Sequence, residues 1–312
     1  MDVISLGECM VEMFCDGRIK DASLFTKAYG GDTLNTIVAA SRLGSKTGFI
    51  TKVGIDPFSD FLLSNWRSEG IDLSQTKLVP GFNGIYFISL MEKGEREFTY
   101  YRPGSAASTL SPEDLDRDYI ASAKVLHTSG ITQAISKTAK DAALAAFRIA
   151  REAGVMTSFD PNLRLKLTPL DQAKKDLMEI LQYTDIFLPS SPDETEPLFP
   201  RMSDEAIIEF VMAQGVKFVA IKRGADGCVV ASEDDVHTLK PELDFEAIDT
   251  TGAGDAFNGA FIHGIARGLS APDAARLGMT MASLKIVGRG AILSLPTKEK
   301  VIAVLGNHTI AF

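Results

Sequence analysis

The chain is poor in the residues that build disulfide, zinc and nucleic-acid-binding proteins. Three cysteines (Cys9, Cys15 and Cys228) in 312 residues form no Cys-x-x-Cys pair. An odd, scattered set of thiols excludes a disulfide framework and a structural zinc site, and predicts reduced, packed thiols of a cytoplasmic protein. The four histidines, at 127, 237, 263 and 308, share no metal-ligand spacing and read as structural or exposed. Basic residues are outnumbered, 32 Lys+Arg against 41 Asp+Glu, a formal charge of −9. That balance disfavours nucleic acid and anionic membranes as partners, while leaving room for a local basic pocket. No apolar run approaches the ~20 residues of a membrane span. The N-terminal stretch 1–14 lacks a basic start and carries Glu8 and Glu12 among its apolar residues, which is not a secretory signal. The single tryptophan, Trp66, lies in a helical pattern and reads as packing.

What is present is a soluble α/β pattern. Short β-rich runs at 3–6, 47–53, 124–127, 155–159, 186–188 and 217–221 alternate with helical stretches at 34–43, 136–153, 203–214 and 270–287. Strands separated by helices predict a mostly parallel sheet covered on both faces. Two regions break the rhythm. Residues 84–91 and 97–101 read as a hairpin across the polar turn 92–95, and 11–14 and 24–29 could add strands. A small β lid, discontinuous in sequence (about 8–30 and 84–102), is therefore expected on one α/β unit spanning 1–312. Its exposed face is the expected surface of a homodimer.

Asp249-Thr250-Thr251-Gly252-Ala253-Gly254-Asp255 leads into a helical pattern that begins at about Gly254 and continues through Ala256, Phe257, Ala260 and Phe261. Glycines permit close backbone approach, and a helix start aims unpaired N–H groups and a positive dipole end at an anion. An acid at that point, Asp255, is placed to act as a general base beside a phosphate. A Gly-rich turn with an ordinary helix-start Asp would look the same in isolation. The dinucleotide fingerprint GxGxxG, the GxxxxGK[ST] loop and the GxSxG elbow are all absent.

These residues resemble the ribokinase-like (phosphofructokinase-B) carbohydrate kinases. Asp249–Phe261 resembles the family's DTxGAGD signature. Gly30-Gly31-Asp32-Thr33-Leu34-Asn35, with Ala39-Ala40 and Leu43-Gly44, resembles its N-terminal signature. The resemblance covers essentially the whole chain. It implies a three-layer α/β/α fold with a β lid, and ATP-dependent phosphorylation of a sugar hydroxyl. Asp255 would be the base, with the N–H groups of Gly252, Ala253 and Gly254 forming an anion hole. Lys222, Gly224 and Gly227, together with Ser191 and Ala282, would lie against ATP. Glu194 would hold Mg²⁺ through water, although Ser191 replaces the family's Asn. Asp249 and Thr251 match positions that hold a monovalent cation such as K⁺.

Tyr100-Tyr101-Arg102 and Asp160-Pro161-Asn162-Leu163-Arg164 resemble the 2-keto-3-deoxygluconate kinases of that family, whose arginines approach a carboxylate. Arg102 could instead form a surface ion pair with Glu95 or Glu97. Gly31, Asn35, Tyr86, Tyr101, Arg102, Asn162 and Arg164 are the expected sugar contacts. The expected product is the 6-phosphate. Fructokinase or another neutral-sugar kinase is the alternative, and a non-catalytic sugar- or nucleotide-binding regulator a more distant one.

Overall fold

The computed structural model describes residues 1–90, 96–233, 235–243 and 245–306. The 92–95 turn and His308 lie outside them. Nine strands form the main sheet: β1 (Val3–Leu6), β4 (Thr47–Gly54), β5 (Thr76–Val79), β8 (Val125–Ser129), β9 (Met156–Asp160), β10 (Ile186–Phe187), β11 (Phe218–Lys222), β12 (Cys228–Ala231) and β13 (Val236–Leu239). Their order is β13-β12-β11-β10-β9-β8-β1-β4-β5. Every pairing from β11 to β5 is parallel; β12 and β13 add an antiparallel edge. Apart from the half-exposed edge strand β5, the parallel strands are buried on both faces, which is why they read as apolar runs rather than alternating ones.

Helices cover each face. On one side Asp32–Arg42, Ala253–Ala266 and Ala271–Lys285 pack around Leu34, Phe49, Trp66, Phe261 and Leu277. On the other, Lys137–Glu152, Leu170–Leu181 and Asp204–Met212 pack around Ile4, Phe147, Phe159 and Phe187. Several of these helices begin where serine accepts a first-turn N–H: Ser136 from Ala139, Ser203 from Ala206 and Ser270 from Asp273. Trp66 is fully buried, edge-on to Phe49 at 5.4 Å, as a packing residue would be. The three cysteines are free and buried. His127 and His263 are buried, whereas His237 is exposed.

A second sheet of four strands, β2 (Met10–Asp16), β3 (Thr26–Gly30), β6 (Ile85–Leu90) and β7 (Arg96–Tyr101), runs in the order β3-β2-β6-β7. It is the lid, built from two separate stretches of chain. Among the described residues no helix is long and apolar enough to cross a membrane.

The helices Asp32–Arg42 and Ala253–Ala266 lie unusually close. A Cβ on Gly259 would stand 2.1 Å from the Thr36 carbonyl oxygen, so only glycine permits the contact. That approach brings the first turns of both helices to one place, beyond the carboxyl ends of β1, β8, β9 and β11. Ligands of open α/β sheets bind at that edge.

Candidate active site

Gly252 begins the Ala253–Ala266 helix in the left-handed region, with φ 75°, against Ala291. Its conformation turns the chain so that Gly254 and Asp255 occupy the helix's open first turn. Ala253, expected as an anion-hole donor, gives its N–H to the Thr250 carbonyl at 3.1 Å. Gly254 faces open space apart from the Lys222 ammonium, 3.6 Å from where a Cβ would stand. An anion at this turn would therefore meet backbone donors and a fixed positive charge together.

Asp255 Oδ2 accepts a hydrogen bond from Asn35 Nδ2 at 2.7 Å. Burial, then the carboxylates of Asp32 and Asp160, push its pKa up to about 7, against the opposing effects of Asn35 and Lys222. Asp32 is pushed upward as well, chiefly by burial and by Asp160. A carboxyl group balanced near neutrality suits a general base.

Asp160, at the end of β9, behaves in the opposite way. Burial disfavours its charge, but Lys222 at 2.7 Å, Asn258 Nδ2 at 2.5 Å and the Asn162 N–H at 2.8 Å together hold its pKa down. Lys222 Nζ also donates to Asn258 Oδ1 at 3.0 Å. Lys222 is thus buried inside the site, beside Gly254, rather than lying along the Gly224–Gly227 turn. Asn162 adopts φ 36°, sparsely populated for a residue other than glycine, and its Nδ2 donates to Asp32 Oδ2 at 3.1 Å. Glu194 accepts the N–H groups of Leu163 and Ser190. Burial and the neighbouring Asp160 raise it to about 7.

Gly224 and Gly227 bracket a short turn, Gly224–Asp226, between the antiparallel strands β11 and β12. Ser191 N–H donates to the Lys222 carbonyl at 2.7 Å, which sets it beside that turn. Ala282 is half-buried on the Ala271–Lys285 helix, against the core.

The lid contributes its inner face. Gly31 caps the Asp32–Arg42 helix, and its N–H lies 3.4 Å from Asn35 Oδ1. Tyr86 is buried and donates to Glu12; its ring stacks on Tyr100, with centroids 5.7 Å apart. The Arg102 guanidinium carbon sits 4.9 Å from the Tyr100 centroid. Tyr101, expected to touch sugar, points the other way. It is 62% exposed on the outer face and meets Phe87 edge-on at 5.8 Å. Side chains alternate along a strand, so Tyr100 replaces it on the inner face.

Arg102 is buried, and among the described residues its ion-pair partner is Glu8 rather than Glu97: Nη2 lies 3.0 Å from Oε1 of Glu8, just past the end of β1, while Glu95 lies outside the described residues. Neither Glu8 oxygen accepts a well-formed hydrogen bond among the described residues, and burial raises Glu8 to about 7 despite Arg102. Arg164 is exposed at the mouth, its Nη1 on the Leu163 carbonyl, with its field reaching Asp32 and Tyr100.

Of Asp249 and Thr251, expected around a monovalent cation, Asp249 meets a lysine ammonium and Thr251 donates its N–H to Asp249. Asp249 Oδ1 and Oδ2 accept the N–H groups of Thr251 and Gly290, and its carbonyl accepts Lys285 Nζ at 2.7 Å. Sequence reading missed Lys285, Glu8, Glu12, Tyr100, Asn258 and Asp32 as site residues. The signal available was charge inside apolar patterns: Glu8 and Glu12 in strand runs, Lys285 near the end of a helix.

Comparison with known proteins finds relatives along nearly the whole chain. The pfkB family carbohydrate kinase model matches residues 1–298. A 2-dehydro-3-deoxygluconokinase of Bacillus subtilis (strain 168) is 34% identical over 98% of this chain and 95% of its own. An Arabidopsis thaliana protein, "Probable fructokinase-6, chloroplastic", is also 34% identical, over 96% of this chain and 81% of its own. Among solved structures, an E. coli protein described as "a putative Ribokinase II in complex with ATP and Mg+2" superposes with a TM-score of 0.91 at 27% identity, covering 98% of this chain and 99% of that one. A ribokinase-like fold, a glycine-led helix start over a buried lysine, and a family match along nearly the whole length identify the chain as a member of the pfkB carbohydrate kinase family.

Proposed function

We propose that the protein transfers the γ-phosphoryl group of ATP to a hydroxyl of a sugar acid, with 2-keto-3-deoxygluconate as substrate and its 6-phosphate as product. The observation that carries this reading is the convergence on one cleft of Asp255 at the phosphate end and Arg102 over Tyr100 at the lid end. Asp255 accepts the proton of the attacking hydroxyl, oriented by Asn35. The Gly252–Gly254 turn and Lys222 receive the charge that develops on the transferred group; donors fixed in advance in this way are worth about 10²–10³ in rate each. Arg102 and Arg164 face the substrate carboxylate, for which a planar guanidinium is suited. The lid strands close over the sugar and exclude water, which would otherwise compete as acceptor.

ATP fits the open turn at Gly224–Asp226 and the Gly254 turn beyond it. The residues also fit Mg²⁺. Asp160 and Glu194 are two buried carboxylates; burial first, and then the Asp160 charge, raises Glu194, and a divalent cation held through water would relieve both. When bound, Mg²⁺ supplies neutralisation of the phosphate oxygens.

A neutral-sugar kinase, such as a fructokinase, is favoured by one observation: Glu8 already neutralises Arg102. Steady-state turnover on 2-keto-3-deoxygluconate, its galactonate epimer, gluconate, fructose, ribose and adenosine separates the readings. Turnover confined to the keto-deoxy acids supports the acid-sugar kinase. Fructose as best substrate makes Arg102 a structural residue, and silence across the panel favours a binding protein. The lid's outer face carries Phe25, Phe87 and Tyr101 in edge-on contact, with Leu24 84% exposed nearby. We assign this face to a second copy of the chain.

A further inference from the structure

Lys285 is fully buried, the last residue of the Ala271–Lys285 helix. A buried ammonium is costly unless paired and hydrogen-bonded, so its surroundings define what it does. They are built from two chain segments. The first holds Asp249, whose carbonyl accepts Nζ at 2.7 Å and whose carboxylate is held below its ordinary range by the Thr251 bonds, Lys285 and Gly290, against burial. The second is 285–290: the Ile286 carbonyl accepts the N–H groups of Ile248 and Asp249, and Gly290 N–H binds Asp249 Oδ2. Glu12 of the lid strand β2 faces the same place, its charge raised in cost by Asp249 and eased by Lys285. This is an oxygen-lined, net-negative cradle directly before the Gly252 turn.

The family resemblance puts a monovalent cation here, and the residues present do not fit one. The cradle already contains a compact cation on a tether, and a second positive charge a few ångströms away in a water-poor site would be strongly repelled. We propose that the Lys285 ammonium takes the place of the monovalent cation in this protein, fixing the Asp249 loop and hence the anion-binding turn, so that activity is independent of K⁺. Lys285 is a positioning residue: it touches the loop, not the reacting atoms. Through Glu12 and the Tyr86 hydroxyl it also links that loop to the lid.

The test compares KCl with tetramethylammonium chloride at equal ionic strength, reading both thermal melting and kcat. Melting needs no substrate, so the inference stands or falls separately from the proposed reaction. For the unmodified protein the midpoints should agree within about 1 °C and the rates within about twofold, because a cation that does not bind adds no linkage. Lys285→Ala, which removes the charge and opens space, should lose about tenfold or more in kcat with little change in KM. KCl should then raise both its melting point and its rate. Lys285→Met, which removes the charge but fills the space, should lose activity without rescue. Saturable activation or stabilisation of the unmodified protein by K⁺ would overturn the proposal, even if both variants failed to fold. Rescue of Lys285→Met by K⁺, or undiminished kcat in Lys285→Ala, would overturn it too.

Discussion

Two buried cation–carboxylate pairs stand at opposite ends of the cleft, and they are built differently. Lys222 and Asp160, at the phosphate end, are cross-linked by Asn258 and the Asn162 N–H, so every charge is met and Asp160 stays ionised. Arg102 and Glu8, at the lid end, lie 3.0 Å apart without a well-formed hydrogen bond to either Glu8 oxygen, and Glu8 is raised to about 7. The first pair is preorganised, as a site for developing charge requires. The second is loosely held, as the proposed exchange of Glu8 for a substrate carboxylate would require. A salt bridge is therefore not one kind of object: its hydrogen-bond complement decides whether it fixes a site or leaves it able to rearrange.

The largest expected effect lies at the base between the pairs. Asp255→Asn should lower kcat by about 10²–10⁴ while ATP affinity, read by direct titration, changes little. Near-full turnover would remove Asp255 from the reaction. The two pairs should next separate by stability. Lys222→Met strands a buried Asp160 and should cost about 3–5 kcal/mol in denaturant unfolding. Glu8→Gln should cost less, about 1–2 kcal/mol, because it leaves Arg102 buried without its partner but replaces a carboxyl that burial already raises to about 7 with an amide that keeps an oxygen for the guanidinium. Equal losses would erase the distinction.

Arg102→Ala sharpens it on the functional side. It should raise KM for 2-keto-3-deoxygluconate by about 10–100-fold, the worth of a charged hydrogen bond, and change kcat for fructose much less. The smallest effect is with pH. As the proposed base, Asp255 must be deprotonated to act, and its folded pKa is raised to about 7 by burial and neighbouring acids. kcat/KM should thus climb about tenfold per unit as pH rises toward 7 and level off above it. A profile flat down to pH 5 would contradict the raised pKa.

The parts of the site legible in the sequence were those that make local backbone demands. Asp249–Phe261 announces a helix start through its glycines, and the structure begins the helix at Ala253, within a residue of the expected place. The parallel sheet was legible because doubly covered strands are apolar throughout. The sheet's outermost strand β13 was not, because an edge strand carries a weaker pattern: Val236–Leu239 is largely exposed. Partnerships across the fold were also hidden. Glu8 and Arg102 are distant in sequence, and nothing near either names the other. For Tyr100 and Tyr101, strand alternation states that they face opposite sides, but only the stacking on Tyr86 decides which faces in. Lys285 was concealed by its helix, where a late basic residue ordinarily answers the helix dipole at the surface.

The most direct test of the account is kcat/KM for 2-keto-3-deoxygluconate against fructose, with ATP and Mg²⁺, on the same protein preparation. The account predicts a preference for the acid of about 10² or more, since a site built to pair a charged group rejects a substrate lacking it. Equal or better turnover of fructose would contradict it, and would leave the Arg102–Glu8 pair as a structural strut beneath the lid.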